Sequence, residues 1–127
     1  MEGIKLSFIF YNPNPQQKMV GDCVLRAISK AEECSWEDAF VGLMAKAFEL
    51  SDMPSSNYVW GAYLKLKGYV RQNLPNTCPD CYTLRDFCID HPDGKYIVAT
   101  GTHAVAVDSG NIWDSWDSSD EIVTYYW

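Results

Sequence analysis

Basic residues are scarce in this chain. Ten lysines and arginines stand against seventeen aspartates and glutamates in 127 residues, a formal charge of −7. Nucleic-acid binders carry a basic patch or stripe. No Lys/Arg cluster occurs here, so no nucleic-acid partner is expected. Long apolar runs are also missing. None approaches the roughly 20 residues that span a bilayer, so no membrane partner is expected. The start, Met1-Glu2-Gly3-Ile4-Lys5, lacks the charged stretch, apolar core and small-residue cleavage site of an export signal. A cytoplasmic location is the expectation. Repeats and linkers are absent too, which predicts a single domain over residues 1–127. Cysteine is present in an odd number, five. In a reducing compartment these are expected as free thiols or ligands rather than a disulfide framework.

Apolar side chains are plentiful. At 47% hydrophobic and 14% aromatic residues, the chain can build a core and does not read as disordered. Residues 4–11 alternate loosely and predict a strand, broken by Asn12-Pro13-Asn14-Pro15. Helices are predicted from Cys23, from Ser35 to about Leu50, from Ser55 or Ser56 to Leu66, and from Thr83 to before Pro92. Ser35…Asp38 and Thr83…Asp86 have capping-box spacing. The second helix is expected to bury Ala39, Phe40, Leu43, Met44, Ala47 and Phe48. Residues 73–79 read as a loop. Beyond Pro92-Asp93-Gly94, short strands are predicted over 96–100, 103–107, 111–116 and 122–127. Helices followed by strands make an α+β pattern, with the N-terminal helices packed on a C-terminal antiparallel sheet.

Cys23 carries the chemical argument. It follows Asp22, a good N-cap residue, and precedes apolar positions Val24, Ala27, Ile28 and Ala31 at helical spacing. At a helix start, unpaired N–H groups and the helix dipole favour negative charge, and the thiolate is the reactive form of cysteine. His103 opens a strand about eighty residues on. Asp114 and Asp117 follow it. A thiol, an imidazole and a carboxylate in that order suit nucleophilic acyl transfer. Which aspartate orients His103 depends on hairpin register, because a one-residue slip swaps faces. A three-residue Asp108-Ser109-Gly110 loop places Asp117 on the His103 side, and this is the expectation. A two-residue Ser109-Gly110 loop selects Asp114 instead. Trp116, beside Asp117, reads first as core packing, with shielding of the His–acid bond from water or lining of a substrate groove as the alternatives.

This layout resembles the papain-like cysteine peptidase superfamily, most of all its compact bacteriocin-processing-peptidase-like branch. It is also similar to small proteins encoded in phages and prophages of gut Firmicutes. The pattern extends from about Asn14 to Asp117. The resemblance implies a papain-like fold and a cysteine peptidase, or a related thiol hydrolase, acting on a peptide or isopeptide bond in a protein or peptide substrate. It implies Cys23 as nucleophile, His103 as base and an aspartate as orienting acid. It also implies a glutamine about six residues before the cysteine as an oxyanion donor. Gln17 stands at that spacing, with Gln16, Asn14 and Asn12 as substitutes. No cofactor is implied. A phage-encoded enzyme would work in the host cytoplasm. An inactive papain-like protein that binds a host or phage partner is the alternative function.

Cys78-Pro79-Asp80-Cys81 with Cys88 and His91 reads C-x2-C-x6-C-x2-H, which could hold zinc and make the chain a zinc-dependent interaction module. A second C-x2-C pair is missing, and Cys88 shares an apolar helix face with Leu84 and Phe87. These cysteines are therefore expected to be structural, with no metal bound. Cys34, just before a helix cap, reads as structural too.

Overall fold

Strands β3 (Lys95–Ala99) and β4 (Ala104–Asp108) form the centre of the fold, and every residue from Ile97 to Ala99 and from Ala104 to Val107 is buried. Their sequences alternate between two cores rather than between core and water. Ile97, Ala99, Ala104 and Ala106 join one cluster, while Val98, Val105 and Val107 join the other. A sheet covered on both faces requires this continuous apolar run. The structure, a computed structural model, describes residues 7–75 and 78–127. Among these it has four helices and a six-stranded mixed sheet, an α+β arrangement.

The other elements in chain order are β1 (Ser7–Phe10), α1 (Cys23–Glu32), α2 (Trp36–Leu50), α3 (Asn57–Leu66), β2 (Gln72–Asn73), α4 (Leu84–Asp90), β5 (Asn111–Asp114) and β6 (Tyr125–Tyr126). The sheet order is β1-β5-β4-β3-β6-β2. The expected all-antiparallel sheet is corrected at one edge, where β1 runs parallel to β5, with Ser7 opposite Asn111 and Phe10 opposite Asp114. Parallel pairing needs a long crossover, and the three helices α1–α3 lie in that connection. The short strand β2 pairs with β6 and overlaps the stretch read as loop only at Asn73. Residues 4–6 of the first predicted strand, the Met1–Lys5 start and residues 76 and 77 of the predicted loop lie outside the described residues.

Helix starts follow local chemistry. The Ser35 hydroxyl accepts from the Asp38 N–H, and Thr83 with Asp86 forms a complete capping box. Helices α1–α3 cover one sheet face through Ile28, Leu43 and Leu64, and α4 covers the other through Leu84 and Phe87. Each such fully buried side chain contributes about 1.5–3 kcal/mol. The predicted apolar stripe of α2 is narrower than expected. Ala39, Leu43 and Ala47 are buried, whereas Phe40, Met44 and Phe48 are exposed. Phe40 instead stacks on Trp36, with ring centroids 5.1 Å apart. Two alanines let α2 sit close to its neighbours, which leaves the flanking bulky positions outside. Among the described residues, no helix is long and apolar enough to cross a membrane.

Candidate active site

Helix α1 begins at Cys23, and no acidic residue occupies its first turn. The first intrahelical bond runs from the Arg26 N–H to the Asp22 carbonyl, 2.9 Å. The N–H groups of Cys23, Val24 and Leu25 are therefore left without helical acceptors. Asp22 holds the N-cap position, but its side chain caps nothing. Its carboxylate pairs with Arg26 and accepts from Trp36 Nε1 at 2.8 Å.

His103 reaches the same place from the β3–β4 turn. The Thr100 N–H donates to the His103 carbonyl at 2.9 Å, which closes that turn and fixes the histidine at its end. His103 Nε2 lies 2.6 Å from Asp114 Oδ2. With Nε2 engaged there, Nδ1 is the ring nitrogen available to Cys23, which hydrogen-bonds with His103. The indole of Trp116 packs on the imidazole, centroids 4.8 Å apart, and is 45% exposed. Trp116 is thus a cover over His103 rather than the core residue expected.

Asp114, not Asp117, contacts His103, and the turn explains the correction. Val107 pairs with Ile112 and Asp108 with Asn111, so the hairpin closes with the two residues Ser109 and Gly110. Both have positive φ, 53° and 74°. Two left-handed central residues match the strand twist and define a type I′ turn. Asn or Asp usually fills the first position; Ser109 holds it here, which is why the sequence pointed to a longer loop. The register moves Asp114 to one diagonal step from His103 and Trp116 to the position opposite it. Asp117 instead accepts from the Ser119 N–H at 3.1 Å.

Asp114 is 1% exposed and fully engaged. Oδ2 accepts from His103 and from the Ser118 hydroxyl at 2.8 Å. Oδ1 accepts from the Ser115 N–H at 2.7 Å and from Arg26 Nη2 at 3.2 Å. Burial alone would raise its pKa, but the His103 hydrogen bond and charge, with Ser118 and Ser115, hold it below the usual carboxylate range. Burial would likewise lower the pKa of His103. Its bonds to Asp114 and Cys23, with their charges, outweigh that and push it up to about 9. Burial would raise the Cys23 thiol. The His103 bond, the Ala104 backbone bond and the positive charges of His103 and Arg26 bring it below the ordinary thiol value. Both directions favour the same pair of charges, an imidazolium beside a thiolate. The other free thiols shift the opposite way: burial pushes Cys88 up to about 12 and raises Cys34.

Gln17 is not brought to the thiol. Its side-chain amide donates to the carbonyls of Asn14 at 3.2 Å and Asn12 at 3.4 Å, inside its own loop. The Asn12 and Asn14 side chains accept from backbone N–H groups two residues on, an Asx-turn pattern that folds the segment on itself. The N–H groups at the start of α1, which lack helical acceptors, are the backbone donors next to the thiol.

The four residues of the zinc reading are not gathered. Cys78 and Cys81 form a disulfide, Cα atoms 4.2 Å apart, which corrects the expectation of free thiols at these positions. The Pro79-Asp80 turn places the pair within bonding reach. Cys88 is buried in the α4 core, and His91 donates from Nδ1 to the Phe87 carbonyl while stacking on the Phe87 ring. Among the described residues, no group of three or more His, Cys, Asp or Glu side chains could hold a metal ion.

Cys23 and His103 open onto a cavity of about 470 Å³ between the start of α1, the start of α3 and the β3–β4 turn. Leu43, Trp60 and Tyr125 line it, with Asn57. Asn57 donates to the Tyr125 hydroxyl at 2.7 Å and accepts from Trp60 Nε1 at 3.0 Å, so the polar atoms of this wall are already paired. Among the described residues, Asp22, whose carboxylate is paired with Arg26, and His103 are the ionisable side chains besides Cys23 and Tyr125 that line the cavity; no lysine, arginine or glutamate does. Sequence reasoning missed Arg26, Trp36 and Ser118. The Asp22/Arg26 i,i+4 spacing was the available signal for the first; nothing local marked the others.

In comparison with known proteins, no family model, curated protein or solved structure matches this chain.

Proposed function

We propose that this chain is a papain-like cysteine hydrolase that cleaves a peptide or isopeptide bond by thiol acyl transfer, with Cys23, His103 and Asp114 as its working residues. The observation that carries the reading is the hydrogen-bonded series Cys23–His103–Asp114 at the mouth of an apolar cavity. The Cys23 thiolate attacks the carbonyl carbon, and the oxygen takes the negative charge beside the free N–H groups at the start of α1. Protonated His103 gives its proton to the departing amine, leaving a thioester on Cys23. His103, now neutral, takes a proton from water, whose oxygen attacks the thioester. The acid is released, and the imidazolium–thiolate pair returns. Asp114 holds the ring with Nε2 bonded and Nδ1 free for the thiol.

The lining favours a polypeptide with a large uncharged side chain next to the reacting carbonyl. Exposed Met19 and Val20 precede Gly21 on one rim, and exposed Met53 precedes Pro54 on another. They add apolar surface beside the cavity, which suits a chain longer than a single residue. From the sequence resemblance, the setting would be a phage or prophage protein acting in its host's cytoplasm. A library of quenched fluorescent peptides tests the reading. Cleavage by the native protein that is lost in Cys23→Ser supports it. No cleavage of any member would favour the binding-protein alternative.

A further inference from the structure

We propose that Arg26 is a positioning residue of this site: from the nucleophile's own helix, its guanidinium clamps Asp114 in the orientation that serves His103. The inference rests on the reading of Cys23 as nucleophile. Arg26 is three residues after Cys23, and its side chain is only 8% exposed. One terminal nitrogen pairs with Asp22, immediately before Cys23, and the other reaches Asp114 Oδ1 at 3.2 Å. A single planar group therefore joins the start of α1 to the end of β5, the two segments whose separation sets the thiol–imidazole–carboxylate spacing.

Three features argue for a role beyond holding the fold together. A buried ion pair is weak evidence for stability, because desolvation offsets its attraction. Arg26 Nε is buried without a partner, a further cost of keeping arginine here. The bond also falls on the carboxylate oxygen that does not touch His103, so Oδ2 is left to His103 and Ser118. Arginine is charged at every working pH and presents a fixed fork. Lysine would keep the charge but could not bridge two carboxylates in the same plane. The charged side chains facing the site are Asp22 and Arg26 from α1, His103 ahead of β4 and Asp114 from β5. Lys30, one turn further along α1, pairs with Asp108 at the other end of β4. Helix α2 contributes only the neutral Trp36.

The test is the pH profile of Cys23 carboxymethylation by iodoacetamide, followed by mass spectrometry in the native protein, Arg26→Gln and Arg26→Lys. In Arg26→Gln the acid limb should move up by about one pH unit, so that reaction near pH 6 slows about tenfold. Arg26→Lys should shift it in the same direction, by about threefold in rate, because charge without the fork leaves Asp114 less well held. A folded Arg26→Gln whose profile superimposes on the native one overturns the proposal and leaves Arg26 as a structural residue. If Arg26→Gln does not fold, Arg26→Lys decides: a native profile there overturns the proposal. An ordinary thiol profile in the native protein is a separate result, which removes the nucleophile reading beneath the proposal.

Discussion

His103 Nε2 and Asp114 Oδ2 lie 2.6 Å apart across two strands joined by a two-residue turn. Their bond commits one ring nitrogen to the carboxylate and leaves the other for Cys23. The direction of the three pKa shifts follows from that geometry, and it sets the first predictions.

Cys23 should be the reactive thiol. Burial raises Cys34 and pushes Cys88 up to about 12, while the bonds to His103 and the Ala104 backbone and the charges of His103 and Arg26 hold Cys23 below the ordinary value. Iodoacetamide at pH 7 should label Cys23 at least about tenfold faster than either, with an apparent pKa below about 8.5. Peptide mapping by mass spectrometry reads the order directly. Equal labelling of Cys34 would remove Cys23 as nucleophile.

His103 should stay protonated to an unusually high pH. Its folded value is raised to about 9, above the unperturbed value of about 6.5. Its contribution to stability is therefore full below about 6.5 and is lost as pH rises through 9. Any activity should fall on the alkaline side near 9 and on the acid side where Cys23 takes up its proton. NMR titration of the His103 ring measures the value. In Cys23→Ser it should drop, because the thiolate that supports the imidazolium is gone.

Asp114 and Asp117 should separate cleanly. Asp114→Asn removes the group that orients the imidazole and should lower Cys23-dependent turnover by about 10²–10⁴-fold. Asp117→Asn should stay within about twofold, because that carboxylate serves only the Ser119 N–H. Comparable losses in both variants would contradict the observed register as the basis of the site.

Peptidyl electrophiles can probe the cavity without knowledge of the natural substrate. A probe with Phe or Leu next to the reactive group should modify Cys23 about tenfold or more faster than one with Asp or Lys. A buried charge would meet the wall made by Asn57, Trp60 and Tyr125, whose polar atoms are already paired with one another. Intact-mass kinetics, normalised to the iodoacetamide rate, give the comparison. A preference for a charged side chain would overturn the apolar-substrate reading.

Local signals in the sequence were enough to determine several parts of this protein. Ser35 and the Thr83/Asp86 box started helices because capping depends on three-residue spacing along the chain. Cys23 at a helix start and His103 at the mouth of a strand were legible for the same reason. The β-branched and aromatic residues of β3 and β4 marked strands, though not the second covered face. Tertiary structure alone decided the rest. Strand pairing is non-local, so nothing in residues 7–10 announces that β1 lies parallel to β5. Side chains alternate faces every residue, so the difference between a two- and a three-residue turn exchanged Asp117 for Asp114. Phe40, Met44 and Phe48 follow helical spacing, yet how closely α2 approaches its neighbours left them outside. Arg26, Trp36 and Ser118 come from separate elements, and only the folded chain brings them to the carboxylates of Asp22 and Asp114. Periodicity tells a residue which face it occupies; packing and register decide what it meets there.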